Sequence, residues 1–220
     1  MPGSSPFAAD WMVHRLCRRW VERALAQFGR GMLLDVGCGA RPYLDLQRAH
    51  ATACIGLEAD RARYRCSPPS VWASALALPF ADRSFDTVFS SQVLEHVPEP
   101  GRMLAEMTRV LRRGGHLIVT APHMWGVHEE PHDYFRFTRF GLAYLARRAG
   151  AEPVRIEAMA GYWVTAGARF CQYLDRLRRH RLGPPVAATC AVVQLLCLSL
   201  DRLHRVEGDT WNYLLVARRP

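Results

Sequence analysis

A glycine turn and a carboxylate are the residues with the clearest chemical potential in this chain. The apolar run 32–36 contains Asp35 and leads into Gly37-Cys38-Gly39, and Glu58 ends the next apolar run, 53–57. Glycine lets the backbone turn sharply and lets a ligand approach the chain closely. A carboxylate at the neighbouring strand end can accept hydrogen bonds from both ribose hydroxyls. This spacing predicts a nucleoside site.

The turn differs from a dinucleotide fingerprint because the third glycine is missing. Positions 40–42 are Ala, Arg and Pro, so the turn does not open a phosphate-facing helix in the usual way. A nucleoside without phosphates, such as S-adenosylmethionine, therefore fits the turn better than NAD does.

Five segments in order make a family resemblance specific. Leu33–Gly39 matches a glycine motif, Glu58 matches the position of a ribose-binding acid, and Ala77–Asp86 resembles a segment that leads into a fourth strand. Val93–Val97 begins the helix after that strand, and Leu111–Val119 turns into a fifth. Over about residues 32–120 the chain resembles the class I S-adenosylmethionine-dependent methyltransferases, small bacterial type.

The resemblance implies a set of cofactor residues at strand ends. Asp35 and the backbone of 37–39 would hold the methionine end, Glu58 the ribose, and the segment at 75–76 the adenine, while residues 91–92 would face the methionine or the acceptor. Family members often carry an Asp shortly before the Leu-Pro-Phe triplet, and here that position is Ser74, which puts the adenine contact in doubt. The set is Asp35, Gly37, Cys38, Gly39, Glu58, Ala75, Leu76, Ser91 and Gln92.

The segment 123–138 is rich in histidine and aromatic residues. It contains His128-Glu-Glu-Pro-His132, which matches the zincin pattern His-Glu-x-x-His. Zinc binding through that pattern needs both histidines on one helix. Pro131 would fall inside that helix and would remove a hydrogen bond, so we expect no metal here.

Two interpretations of this segment remain open. It follows the fifth strand, beside the expected methyl donor, so it would bind the acceptor, with His132 or His128 as the general base. Trp125, Tyr134 and Arg136 would then contact the acceptor. Alternatively, Asp133 and Arg136 merely pair, and the aromatic residues pack the loop down.

Composition places the chain among ordinary globular proteins. Its 220 residues are 50% hydrophobic and 22% charged, which excludes disorder and collagen-like fibres. The net charge is +9, but the chain contains no lysine, which indicates a codon bias rather than a basic binding surface. We therefore expect no nucleic-acid partner. Seven cysteines without a CxxC pair, and no visible signal peptide, predict free thiols and a cytoplasmic location.

Apolar runs that alternate with helical patterns predict the architecture. A helix over 8–28 precedes strands near 32–36, 53–57, 71–72, 85–89, 116–120, 154–159 and 211–217. We expect one α/β methyltransferase domain over 1–220, a Rossmann-like seven-stranded mixed sheet. It would be mostly parallel, with the last strand antiparallel and helices on both faces.

A helical insertion is predicted over 162–207, where the family's minimal fold has a short turn. Its first helix would carry arginines at positions that include Arg178, Arg179 and Arg181, and its second contains the apolar run Val186–Leu200. Fifteen residues are too few to span a bilayer. A lid over an apolar acceptor, a homodimer surface, and a membrane or lipid-linked substrate contact remain the alternatives.

The resemblance implies methyl transfer to a small-molecule or glycan-like acceptor, most simply at oxygen in a biosynthetic pathway. Methylation of nitrogen or carbon is the alternative within the enzyme class. A cofactor-binding partner subunit that lost catalysis is the alternative outside it.

Overall fold

The structure is a computed structural model that describes residues 5–62, 64, 69–177 and 183–220. Cys66 and the arginines Arg178, Arg179 and Arg181, which entered the predictions above, lie outside the described residues. The chain divides into two compact units. One unit takes the chain up to residue 20, residues 123–126 and the part between 158 and 212, and the other takes 21–122, 127–157 and 213–220.

Seven strands form a single sheet in the order β3-β2-β1-β4-β5-β7-β6. Their bounds are β1 Met32–Val36, β2 Ala53–Glu58, β3 Val71–Trp72, β4 Phe85–Ser91, β5 Leu111–Pro122, β6 Glu152–Ala158 and β7 Asn212–Arg218. The helices are α1 Trp11–Phe28, α2 Leu44–His50, α3 Pro100–Val110, α4 Arg139–Arg148, α5 Tyr162–Asp175 and α6 Gly183–Leu203.

The predicted Rossmann-like mixed sheet is confirmed. β1 pairs in parallel with β2 and with β4, and β5 pairs in parallel with β4. The N–H of Gly114 donates to the carbonyl of Arg219, and Arg219 returns a bond to Gly115, so β7 runs antiparallel to β5. The strand order reverses between β1 and β4. Ligands of open α/β sheets bind at that reversal, beyond the carboxyl ends of the strands.

The burial of the central strands explains why their sequences are almost continuously apolar. Leu33, Leu34 and Val36 of β1 are fully buried, and so is Val88 of β4. A strand covered on both faces needs no polar alternation. The short strands therefore lie close to where the apolar runs predict them.

Three elements differ from the sequence predictions. The helix α2 was not predicted, because its seven residues are too few for a clear period. β5 begins at Leu111 rather than at 116, since Gly114 and Gly115 pair with the chain after β7 and so belong to the strand instead of only closing the preceding helix. α1 begins at Trp11 rather than at Ala8.

The helix α6 has 21 residues, and by length and composition it could cross a membrane. The helix is longer than the fifteen-residue apolar run Val186–Leu200, because it begins at the Gly183-Pro-Pro segment and continues to Leu203. The expectation that this segment is too short to span a bilayer was therefore wrong by length. Proline is tolerated in the first turn, where its missing N–H would be unpaired anyway. Only 22% of the most apolar 18-residue stretch of α6 is buried.

Polar contacts join the insertion to the start of the chain within the first unit. The buried Gln194 of α6 accepts the N–H of Met12 at 2.8 Å and donates to the carbonyls of Pro6 and Ala8. The Asp201 carboxylate accepts the N–H of Gly161 at 3.0 Å, just before α5. Buried polar groups need such partners, so these contacts fix the position of α6 within this unit.

Candidate functional site

The glycine turn and Glu58 meet at the carboxyl edge of the sheet. The N–H of Gly39 donates to Oε2 of Glu58 at 2.9 Å, and Oε1 accepts the N–H of Ala59 at 2.8 Å and of Asp60 at 3.2 Å. Gly37 and Gly39 have φ values of +71° and +50°, in the left-handed region that favours glycine. The carboxylate is half-buried and held in place by backbone donors.

Asp35 lies behind the turn rather than on its surface. Asp35 is 2% exposed, and its carboxyl accepts a 2.6 Å hydrogen bond from Nε2 of Gln47 on α2. Burial raises the pKa of Asp35 to about 7, against the lowering effect of the Gln47 bond. Gln47, which the sequence analysis did not identify, fixes the orientation of Asp35.

Cys38 contributes its backbone rather than its thiol to the turn. Its N–H donates to the carbonyl of Leu57 at 3.0 Å, and the side chain is 3% exposed. Burial raises the pKa of the thiol to about 12, so it stays protonated and unreactive. A Cβ on Gly56 would lie 2.8 Å from the sulfur, and glycine at 56 therefore makes room for it.

The predicted adenine segment follows β3. Both of its residues are apolar. Ala75 is buried and Leu76 is partly buried. Ser74 is exposed, and its hydroxyl accepts the N–H of Leu76 at 3.1 Å. The serine at the family's aspartate position thus stabilises its own turn.

Ser91 and Gln92 lie at the end of β4, beside the end of β5. The Ser91 hydroxyl is 2.8 Å from that of Thr120, and Nε2 of Gln92 donates to the same oxygen at 3.0 Å. Gln92 has a φ of +56°. Thr120 therefore positions both predicted residues, and sequence spacing could not identify it because it is an ordinary strand residue.

An ion pair organises the loop after β5. The Arg136 guanidinium donates to both oxygens of Asp133, at 2.7 Å and 2.6 Å, and Asp133 also accepts the N–H of His128 at 2.8 Å. The Arg136 contact lowers the pKa of Asp133 to about 2. The predicted pairing is present, and it holds the loop together whether or not the loop binds an acceptor.

The two candidate bases have different surroundings. His132 is exposed, and its Nδ1 is 3.0 Å from the Tyr134 hydroxyl, which is also exposed. His128 is partly buried and packs edge-on against His96, with ring centroids 4.8 Å apart. Residues 128–132 form no helix, as Pro131 predicted.

Trp125 belongs to the first unit, whereas the other predicted acceptor residues, Tyr134 and Arg136, belong to the second. Its ring centroid is 5.8 Å from that of Trp211, and the Arg169 guanidinium lies 5.8 Å from its ring. A guanidinium at this distance over an indole is a cation–π contact.

Glu95 and His96 follow β4, and the sequence did not identify them as candidate functional residues. They form a 3₁₀ turn, 94–96, and the carbonyl of Glu95 accepts the N–H of Tyr134 at 2.9 Å. Burial raises the pKa of the Glu95 carboxyl to about 8. Sequence analysis treated this pair only as part of a helix start, although a Glu-His pair at a strand end was a usable signal.

Comparisons with known proteins identify relatives of this chain. Residues 34–119 match the family described as Methyltransferase domain. An uncharacterized methyltransferase of Mycobacterium marinum is 38% identical over 130 residues, covering 54% of this chain and 51% of the relative. The 27-O-demethylrifamycin SV methyltransferase of Amycolatopsis mediterranei is 29% identical over 220 residues, covering 86% of this chain and 77% of its own.

Solved structures share the fold. The [4+2]-cyclase SpnF has a TM-score of 0.59 at 25% identity, covering 93% of this chain and 80% of its own. An S-adenosylmethionine-dependent methyltransferase of Mesorhizobium loti has a TM-score of 0.57 at 19% identity, covering 96% and 98%. Residues 34–119 thus match the methyltransferase family, and the chain has the fold of the class I S-adenosylmethionine-dependent methyltransferases. The chain spans about half the length of the mycobacterial relative.

The residues present fit S-adenosylmethionine, the cofactor of this class. Left-handed glycines leave the backbone of the turn open to a ligand, and a half-buried carboxylate lies at the adjoining strand end. The backbone of 37–39 would hold the methionine end and Glu58 the ribose, with Ala75 and Leu76 along the adenine. When bound, S-adenosylmethionine supplies a methyl group already activated on a sulfonium.

Proposed function

We propose that this chain transfers a methyl group from S-adenosylmethionine to an oxygen of a small-molecule or glycan-like acceptor in a biosynthetic pathway. The bond from Gly39 to Glu58 carries the proposal, because it brings the turn and the predicted ribose-binding acid together at the carboxyl edge of the sheet, next to its switch point. The rifamycin relative, named for an O-demethylated substrate, supports oxygen as the acceptor atom.

The residues of this chain would work mainly by positioning. Displacement at a methyl group needs the acceptor atom in line and near contact, and holding it there supplies much of the rate. An acceptor hydroxyl also has to lose its proton. We assign His132 as the base, because its ring is exposed and its Nδ1 lies 3.0 Å from the hydroxyl of Tyr134. His128 is held against Asp133 and His96.

The proposal is tested by incubating the purified chain with S-adenosylmethionine and candidate hydroxylated acceptors. The expected result is S-adenosylhomocysteine formed in equal amount with an O-methylated product. Product methylated at nitrogen or carbon would keep the enzyme class and overturn the acceptor atom.

A second candidate function is cofactor binding without methyl transfer. The likeness to the [4+2]-cyclase SpnF favours keeping it, because that protein carries this fold and is named for a cyclisation. Calorimetry with S-adenosylmethionine separates the two functions. Binding with no S-adenosylhomocysteine formed on any acceptor would support the second function and overturn the first.

The apolar surface of α6 supports contact with a lipid-linked acceptor or an anionic membrane. Val192, Leu195, Leu196 and Leu203 are each more than half exposed. Burying such side chains at an interface is favourable by roughly 25 cal/mol per Å² of apolar area. A homodimer through the same face is the competing use, which a measurement of mass in solution distinguishes.

A further inference from the structure

Three side chains that can ligate a metal ion meet beyond the end of β4. Glu95 and His96 come from the 3₁₀ turn after that strand, and His128 comes from the loop after β5. One ligand atom of each, a carboxylate oxygen or a ring nitrogen, lies within 4.8 Å of the other two. We call these three residues the Glu-His-His cluster.

The Glu95 carboxyl is the most unusual member of the cluster. It is fully buried, and neither oxygen has a hydrogen-bond partner among the described residues. Oε1 points toward the cluster, 3.7 Å from Nε2 of His96. A buried carboxylate without a partner is costly, since it loses its hydration and gains nothing in return. A cation among these three side chains would compensate it.

The rings of both histidines are oriented by contacts on one nitrogen. Nδ1 of His96 is 2.7 Å from the carbonyl of His132, so it donates there, and Nε2 is the nitrogen that faces Glu95 and Glu129. Nδ1 of His128 lies 3.3 Å from Oδ2 of Asp133 and 3.4 Å from Nη2 of Arg136. Carbonyl and carboxylate contacts of this kind commonly orient metal-binding histidines.

We propose that the Glu-His-His cluster binds a divalent transition-metal ion, with Zn²⁺ as the preferred ion. Two imidazoles and one carboxylate are a donor set that suits zinc and other borderline ions and does not suit Mg²⁺ or Ca²⁺. The ligand atoms need to move by only about 1 Å to reach ordinary Zn²⁺ separations. Oε2 of Glu129, 3.9 Å from Nε2 of His96, is the adjoining carboxylate for a fourth position.

This site differs from the zincin pattern considered in the sequence. It uses His128 but not His132, and its other two ligands come from a different strand end. It also departs from the expectation that no metal binds here. The ion would join the turn after β4 to the loop after β5. The inference is independent of methyl transfer, because it concerns only the ligands.

The test measures Zn²⁺ binding to the chelator-treated full chain by calorimetry, in competition with a chromophoric chelator that removes weak surface binding. We expect one ion per chain and at least a tenfold weaker association in each of Glu95→Gln, His96→Ala and His128→Ala. His204→Ala, an exposed histidine outside the cluster, is the matched control and should bind as the wild type does. Failure of the wild type to bind, or undiminished binding by the three variants, would overturn the proposal.

A second measurement does not depend on the variants folding. Co²⁺ added to the wild-type chain should produce the visible absorption of a four- or five-coordinate nitrogen and oxygen site. Thiolate-to-cobalt charge transfer would instead place the ion on the cysteines and overturn the assignment. Both measurements work without an acceptor, so a failure here is separate from a failure to transfer methyl groups.

Discussion

Gly39 and Glu58 are joined by a 2.9 Å hydrogen bond that links the ends of two neighbouring strands. The register places Val36 beside Leu57, so the turn after β1 and the last residue of β2 occupy one edge of the sheet. Two other backbone N–H groups hold the opposite oxygen of Glu58. The carboxylate is thus fixed in place before any ligand arrives, which favours binding by lowering the ordering cost.

Replacing Glu58 should weaken cofactor binding. We expect Glu58→Ala to raise the Kd for S-adenosylmethionine at least tenfold, since a ribose acceptor and three backbone contacts are lost. Tenfold corresponds to about 1.4 kcal/mol. Glu58→Gln keeps one side-chain oxygen, so its Kd should lie between those of the wild type and of Glu58→Ala. Calorimetry on folded variants checks this, and an unchanged Kd for Glu58→Ala would show that β2 does not bind the ribose.

Replacing Asp35 should change how stability depends on pH. The pKa of this carboxyl is raised to about 7 in the folded chain from an ordinary 3.8, so the native state binds more protons than the unfolded state between these values. Stability therefore falls as pH rises from about 4 to about 7. Asp35→Asn should remove that fall, and its gain over the wild type should grow across this range to a few kcal/mol, on the order of 1.4 kcal/mol per pKa unit.

Denaturant unfolding of the cofactor-free chain at pH 5 and pH 8 measures the effect of Asp35→Asn. The exposed Glu22→Gln on α1 serves as the control for removing a carboxylate. An Asp35→Asn variant that gains no more at pH 8 than at pH 5 would refute the raised pKa.

His132→Ala should lower turnover more than cofactor affinity. A general base contributes about a hundredfold or more to a rate, and the contact that His132 Nδ1 makes is with the hydroxyl of Tyr134, which is not among the predicted cofactor residues. The kcat of S-adenosylhomocysteine formation and the Kd for S-adenosylmethionine are to be measured on the same preparation. His204→Ala is the control, and activity equal to the wild type would remove His132 as the base.

Arg136→Ala should destabilise the chain, because the Asp133 carboxylate, with only 2% of its side chain exposed, loses its guanidinium partner and keeps only its contacts with His128. Breaking such a pair costs roughly 3 kcal/mol. Arg102→Ala is the control, since its ion pair with Glu99 is more than half exposed on both sides and should cost under about 1 kcal/mol. Equal unfolding free energies for the two variants would contradict the structural role of Arg136.

Two charged substitutions test the face of α6. Leu196 and Leu203 are 57% and 84% exposed. If this face contacts an anionic membrane, Leu196→Asp with Leu203→Asp should abolish flotation with anionic vesicles and leave the thermal unfolding midpoint unchanged. If the wild type fails to float and the substitutions instead halve its mass in light scattering, the face is a dimer surface and the membrane proposal is wrong.

The local sequence pattern was enough to predict the strands and the glycine turn at the carboxyl edge of the sheet. Leu33 and Leu34 belong to an apolar run that a doubly covered strand requires, and the glycines after it predict the turn. Family motifs added Glu58 as the predicted ribose-binding acid, and its carboxylate lies beside the glycine turn. The helix α2 escaped prediction, although it supplies Gln47, because seven residues carry too little periodicity.

The sequence by itself determined the order of the elements and the edge of the sheet at which the glycine turn and Glu58 lie, because both follow from hydrophobic period and chain direction. Only the tertiary structure decided that Asp35 is buried against Gln47 and that Glu95, His96 and His128 share one cluster. These contacts join residues from separate loops and helices, and their geometry depends on strand register and packing. No local pattern encodes the distance between two such loops.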